Sequence, residues 1–234
     1  MISNLIDVDS SGVYAVASKI GQISQLIYLA FVGGWQYFAF SIMRDKDNVR
    51  VISLIFEILT SVSLVTTLLG TSICKFVFEL LFEEEYWASY ICVPYLYLAP
   101  LMLMLFQVGS NQFLVIKKTW PNLIILLFGA LLNIALNFLL IPLIGIEGAS
   151  IATFIGYFVS ILLCFIVLLK TKLISVRWKL IANVLLFFAS FSVMRASSYS
   201  LYYLNVPIAI VFLLFNALIY RNDIRHFFKR LFRK

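Results

Sequence analysis

Charge is scarce in this chain. Only 12% of its 234 residues are Asp, Glu, Lys or Arg, against roughly 25% in soluble domains, while 63% are hydrophobic and the mean hydropathy is +1.02. A soluble globular domain is excluded. Histidine is nearly missing: His226 stands alone among Arg225, Lys229 and Arg230, which suits an interfacial residue of a basic tail better than a proton relay. The three cysteines, Cys74, Cys92 and Cys164, lie in or beside apolar runs, with no CxxC pair and no neighbouring His/Asp cluster. Buried, inert thiols are expected, with neither a disulfide framework nor a metal site. Also absent are an HExxH, paired intramembrane aspartates, a Gly-rich phosphate loop after a strand, and a nucleophile beside a base. The sequence therefore predicts no enzyme and no cofactor. The opening MISNLIDVDSSG has no basic n-region or cleavage site, so no secretory leader is expected.

What is present is a series of long apolar runs. A spanning helix needs about 20 mostly apolar residues, and the runs between charge clusters give seven candidates: 12–40, 51–73, 89–115, 120–143, 147–169, 177–195 and 200–220. An all-α polytopic bundle of about seven spans follows. The net charge of +7 is no nucleic-acid footprint, because the basic residues sit in short clusters between runs. Arg44, Lys46 and Arg50 follow the first run; Lys117 and Lys118 the third; Lys170, Lys172, Arg177 and Lys179 the fifth; Arg221, Arg225, Lys229, Arg230, Arg233 and Lys234 the seventh. Lys75 and Arg195, with Glu79, Glu83, Glu84, Glu85 and Glu147, occupy the alternate connections. Because Lys and Arg accumulate on the cytoplasmic side, the alternation predicts the N-terminus outside and the C-terminus in the cytoplasm. Two interfacial segments are expected. Lys75 to Trp87 mixes phenylalanines with glutamates at the outer face, and residues 221–234 pair Phe227, Phe228, Leu231 and Phe232 with cations at the anionic inner leaflet.

Polar residues inside spans are expensive, and they are the candidates for function. Lys19, with Ser18 beside it and Gln22 at i+3, either lines a cavity holding an anionic headgroup or snorkels to the interface. Gln25 continues its stripe. Glu57, seven residues after Arg50 and so nearly on the same helix face, either binds a coupling cation or proton or pairs with a cytoplasmic arginine. Gln107 and Asn111, and likewise Asn133 and Asn137, are spaced four apart and can hydrogen-bond across helices. The ladder Gly148, Ala152, Gly156 lets another backbone approach closely, and Ile141-Pro142 marks a stop before it.

Several of these pieces, taken in order, resemble the C-terminal half of the polysaccharide and O-antigen flippases of the multidrug/oligosaccharidyl-lipid/polysaccharide exporter superfamily. They are GVYAVASKI at 12–20, GGWQYFAFSI at 33–42, LLFEEEYWASYICVPYLYLAP at 80–100, the Lys117-Lys118-Thr119 turn and LNIALNFLLIPLIGIEGASIAT at 132–153. Tyr37 stands where the family usually has proline, so the bend that proline gives lacks its cause here. Family members also carry an N-terminal lobe of similar size, so the resemblance implies one lobe, an incomplete C-terminal half of a two-lobe transporter. It implies an extracytoplasmic segment at 1–11, a five-helix lobe core at 12–169, two additional transmembrane helices at 170–220 and a cytoplasmic tail at 221–234 in a bacterial inner-membrane protein.

The implied activity is translocation of a polyprenyl-diphosphate-linked oligosaccharide. Lys19 would attract the diphosphate or an acidic sugar, and Gln22, Gln25, Gln107 and Asn111 would meet hydroxyls. Partners would be the lipid-linked oligosaccharide, the bilayer, and a separate N-terminal lobe or polysaccharide assembly proteins, with no nucleic acid. Two alternatives stay open. A multidrug/cation antiporter of the same superfamily would use Glu57 for ion coupling. A seven-helix receptor shares only the span count, since 200–220 has neither a retinal-binding lysine nor an Asn-Pro-x-x-Tyr.

Overall fold

The computed structural model describes residues 1–45, 47–197 and 202–231, and for 115, 224 and 226–231 the backbone alone. The expected inner-leaflet placement of His226, Phe227, Phe228, Leu231 and Phe232 lies outside the described side chains. Among the described residues every regular element is helical. The chain is an all-α bundle with, among the described residues, six helices long and apolar enough to cross a membrane, and a seventh if one bent pair counts as a single span.

That bent pair replaces the single helix expected at 12–40. After a short α1 (Ile2–Leu5), α2 (Val8–Gly21) starts at Asp7, whose carboxylate accepts the Ser10 backbone N–H at 2.5 Å. This hydrogen bond caps the helix and holds the exposed Asp7 carboxyl below the usual carboxylate range. The next helix, α3 (Ser24–Ser41), departs from α2 at 44°. The break lies at Gln22–Ile23, while α3 runs unbroken through Tyr37. Its cause is tertiary. A Cβ on Gly21 would lie 2.6 Å from the Leu96 Cβ and 3.0 Å from the Leu96 backbone, and the buried Ser24 hydroxyl donates to the Tyr97 carbonyl at 2.6 Å. Helix one is thus pinned at its break.

The next span, α4 (Asn48–Leu81), is 34 residues long, roughly 50 Å, well beyond the roughly 30 Å hydrocarbon core. The expected interfacial stretch after Lys75 is therefore partly its continuation. A turn of helix α5 (Glu84–Trp87) and a 3-10 turn (Ala88–Cys92) lead into α6 (Val93–Val115). Both α4 and α6 are largely buried and form the centre of the bundle.

Helices α7 (Trp120–Ile144) and α8 (Ile146–Lys170) form a hairpin that turns on Gly145 alone, at φ 65°. Positive φ is why glycine stands there. The helix does not stop at Pro142. That residue lies in the last turn, where its missing N–H costs one hydrogen bond, and α7 continues to Ile144. Close backbone approach joins the two helices: a Cβ on Gly129 would overlap the Ser160 hydroxyl, one on Gly148 the Leu140 carbonyl, and one on Gly156 would lie 3.0 Å from the Asn133 Cβ. Helices α9 (Trp178–Ser197) and α10 (Asn205–Leu231, after a 3-10 turn at Tyr202–Leu204) pack together and against α4.

Candidate functional site

From Pro100 onward the central helix α6 reaches the surface along one stripe. Pro100, Leu103, Gln107, Asn111 and Leu114 are half-buried, and every residue between them is buried. The stripe contains two polar side chains, Gln107 and Asn111, and α3 lies beside it, its Tyr28 hydroxyl accepting a hydrogen bond from Gln107 Nε2 at 2.8 Å. Helix one carries three further polar candidates, outside the Ala17, Gly21, Ser24 and Tyr28 side that meets α6. Lys19 occupies the last turn of α2, Gln22 the break and Gln25 the first turn of α3, all three exposed. Gln22 Nε2 reaches Ser18 Oγ at 3.4 Å, and the side chains of Lys19, Gln25 and Asn111 make no hydrogen bond or ion pair among the described residues. Lys19 lies eleven residues, or roughly 16 Å, below the start of α2 at Val8.

This face is open and not a pocket. The small cavity beside Asn111, lined by Phe40, Met43, Asn48, Ile52 and Gln112, holds about 10 Å³, and a second between Thr71, Cys74, Tyr90, Arg195 and Tyr202 about 20 Å³. Each has room for about one water. Gln112 donates to Asn48 Oδ1 at 2.8 Å and Asn48 Nδ2 to the Ile42 carbonyl at 3.1 Å, so the C-terminal ends of α3 and α6 and the start of α4 are tied together beside Asn111.

The structure places the other candidates elsewhere. Asn137 Nδ2 donates to the Asn133 carbonyl at 3.0 Å and to Asn133 Oδ1 at 3.2 Å, and Asn133 Nδ2 reaches Thr153 Oγ1 at 3.4 Å. Asn133 thus bridges α7 to α8, alongside Gly148, Gly156 and the fully buried Ala152, while Asn137 bonds within α7. Glu57 is 1% exposed, and both its oxygens are engaged by Arg177. Nε lies 3.0 Å from Oε1 and 2.8 Å from Oε2, with Nη2 2.6 Å from Oε2. The remaining Arg177 nitrogen, Nη1, meets Asp223 Oδ1 at 2.7 Å, and Lys179 Nζ meets Asp223 Oδ2 at 2.7 Å. These bonds, led by those that Arg177 donates to Glu57, hold its guanidinium above its ordinary range. Two acids and two bases close into a neutral cluster joining α4, the α8–α9 connection, α9 and α10. Further along, Ser61 donates to Asn216 Oδ1 at 2.6 Å, and Tyr202 accepts the Lys75 backbone N–H at 2.8 Å. At the opposite end of α9 Arg195 pairs with Glu147 at 2.6 Å.

Sequence reasoning missed Tyr28, Arg177 and Asp223 as members of these clusters. Tyr28 gave no signal beyond its place three residues after Gln25, whereas Asp223 stands out as the lone acid between Arg221 and Arg225. No protein-family model and no curated protein sequence matches the chain. A solved structure does: lipid II flippase MurJ in its inward closed conformation, with a TM-score of 0.57 and 18% sequence identity, covering 95% of this chain and 52% of that one. The chain thus spans about half the length of that flippase and has its fold over that half.

Proposed function

We propose that the chain is one lobe of a flippase that moves polyprenyl-diphosphate-linked oligosaccharide repeat units across the bacterial inner membrane for cell-surface polysaccharide or O-antigen synthesis. The observation that carries this is the likeness of 95% of the chain to a lipid II flippase, a transporter of a lipid-linked substrate by its name. The open polar face supports it. A lone cation and accessible amides suit a diphosphate and sugar hydroxyls, which need donors and acceptors but no covalent chemistry. The glycan crosses along this face by alternating access, while the polyprenyl tail stays in lipid. A single lobe leaves the face unopposed, so a second bundle closes it, since transporters of this kind hold substrate between two related bundles. In this scheme residues 12–169 are the lobe core, 170–220 two added helices, and the C-terminus is cytoplasmic.

Charge at Lys19 tests the proposal in cells. In the complete transporter, Lys19→Arg should keep glycan export near wild type, and Lys19→Glu should reduce it at least tenfold by repelling the diphosphate. Normal export by Lys19→Glu would remove the cationic face from the mechanism.

A further inference from the structure

Gln107 and Tyr28 are both half-buried on the open face, one on α6 and one on α3, and their hydrogen bond fixes the direction of each group. With Nε2 committed to the tyrosine oxygen, the Gln107 carboxamide oxygen is left as an acceptor, and it accepts no hydrogen bond among the described residues. The Tyr28 oxygen is already an acceptor, so its own O–H proton is free to be donated. An oriented acceptor beside an oriented donor, both neutral, matches a pair of neighbouring sugar hydroxyls, one donating and one accepting. It does not match a phosphate, which offers acceptors only. The cation of helix one is well separated from this pair: Lys19 precedes Tyr28 by nine residues, roughly 13 Å of helix, across the 44° break.

Resting on the flippase reading above, we propose that Tyr28 is a glycan-binding residue and that it works with Gln107 as one donor–acceptor pair. The sugar is held at Tyr28, Gln107 and, one turn further along α6, Asn111. Tyr28 thereby determines specificity for a glycosylated lipid over the bare one.

The test is equilibrium binding to the full chain in lipid nanodiscs, with two probes: a polyprenyl diphosphate, and the same lipid bearing a neutral trisaccharide. Tyr28→Phe and the near-isosteric Gln107→Met should each weaken the glycosylated probe about five- to tenfold, as expected for a lost hydrogen bond, and the bare probe less than twofold. Lys19→Glu should weaken both. Equal losses of both probes in Tyr28→Phe and Gln107→Met would show a packing role and overturn the sugar assignment, as would unchanged binding of both. Wild-type protein that binds the two probes with equal affinity would leave the flippase reading standing and remove the sugar contact. Wild-type protein that binds neither probe would overturn the flippase reading, and the sugar assignment with it.

Discussion

Gly129 shows how much a single missing side chain can position. Its backbone lies against Gly156 and Ser160, and a Cβ there would overlap the Ser160 hydroxyl and sit 2.8 Å from the Gly156 carbonyl. In lipid, where apolar burial gives helices no reason to associate, such close van der Waals approach is what joins α7 to α8. Gly129→Leu should therefore separate the hairpin and cost about 3 kcal/mol, from overpacking. Reversible denaturant unfolding in mixed micelles measures it, with Gly33→Leu as a control, since a Cβ at Gly33 meets nothing within 4 Å. The small-residue spacing at 148, 152 and 156 was readable because helical periodicity is local. Which helix it faces was not, because Gly129 and the Ser160 hydroxyl are brought together only by the Gly145 turn.

At the scale of elements, the spans were legible from length and apolarity, since lipid leaves the backbone few alternatives to helix. The break in helix one was not. Nothing in Gly21-Gln22-Ile23-Ser24 breaks a helix as proline would, and the bend depends on Leu96 and Tyr97 of α6, remote in sequence. The partner of Glu57 was hidden for the same reason. Arg177 is 120 residues away, and helix adjacency cannot be read from spacing. Removing one member of a buried pair leaves the other uncompensated, which costs about 3–5 kcal/mol when both are dry. With the Arg177 side chain 36% exposed, water screens part of this, and about 2 kcal/mol is expected for Arg177→Ala. A double-mutant cycle should show Glu57→Leu with Arg177→Leu costing less than the two single changes together. The same cluster bears on ion coupling. A cation bound at Glu57 has to displace Arg177, so proton-dependent transport that collapses in a folded Glu57→Gln protein would identify a coupling residue. Transport unchanged by that substitution would identify a structural clamp.

For the whole molecule, the alternation that assigns fifteen of the 18 basic residues to one side predicts an orientation. The native thiols are all buried and should stay silent toward a membrane-impermeant maleimide. A cysteine placed at Lys172 or Arg221 should then react only from the cytoplasmic side, and one at Glu84 only from outside; the reverse pattern would invert the topology. Composition and charge pattern made the membrane bundle readable, whereas the polar face required the fold, because it joins Tyr28 of α3 to a stripe of α6.

The most direct test of that face as a path for lipid-linked glycan is reconstitution of the protein in vesicles carrying a fluorescent polyprenyl-diphosphate oligosaccharide in the inner leaflet. The label's arrival in the outer leaflet is followed with an external quencher. Wild-type protein, supplied with a second lobe where one is encoded, should expose the label faster than protein-free vesicles, and Lys19→Glu should return the rate to that of empty vesicles. A Lys19→Glu protein that exposes the label as fast as wild type would contradict the assignment of this face to substrate.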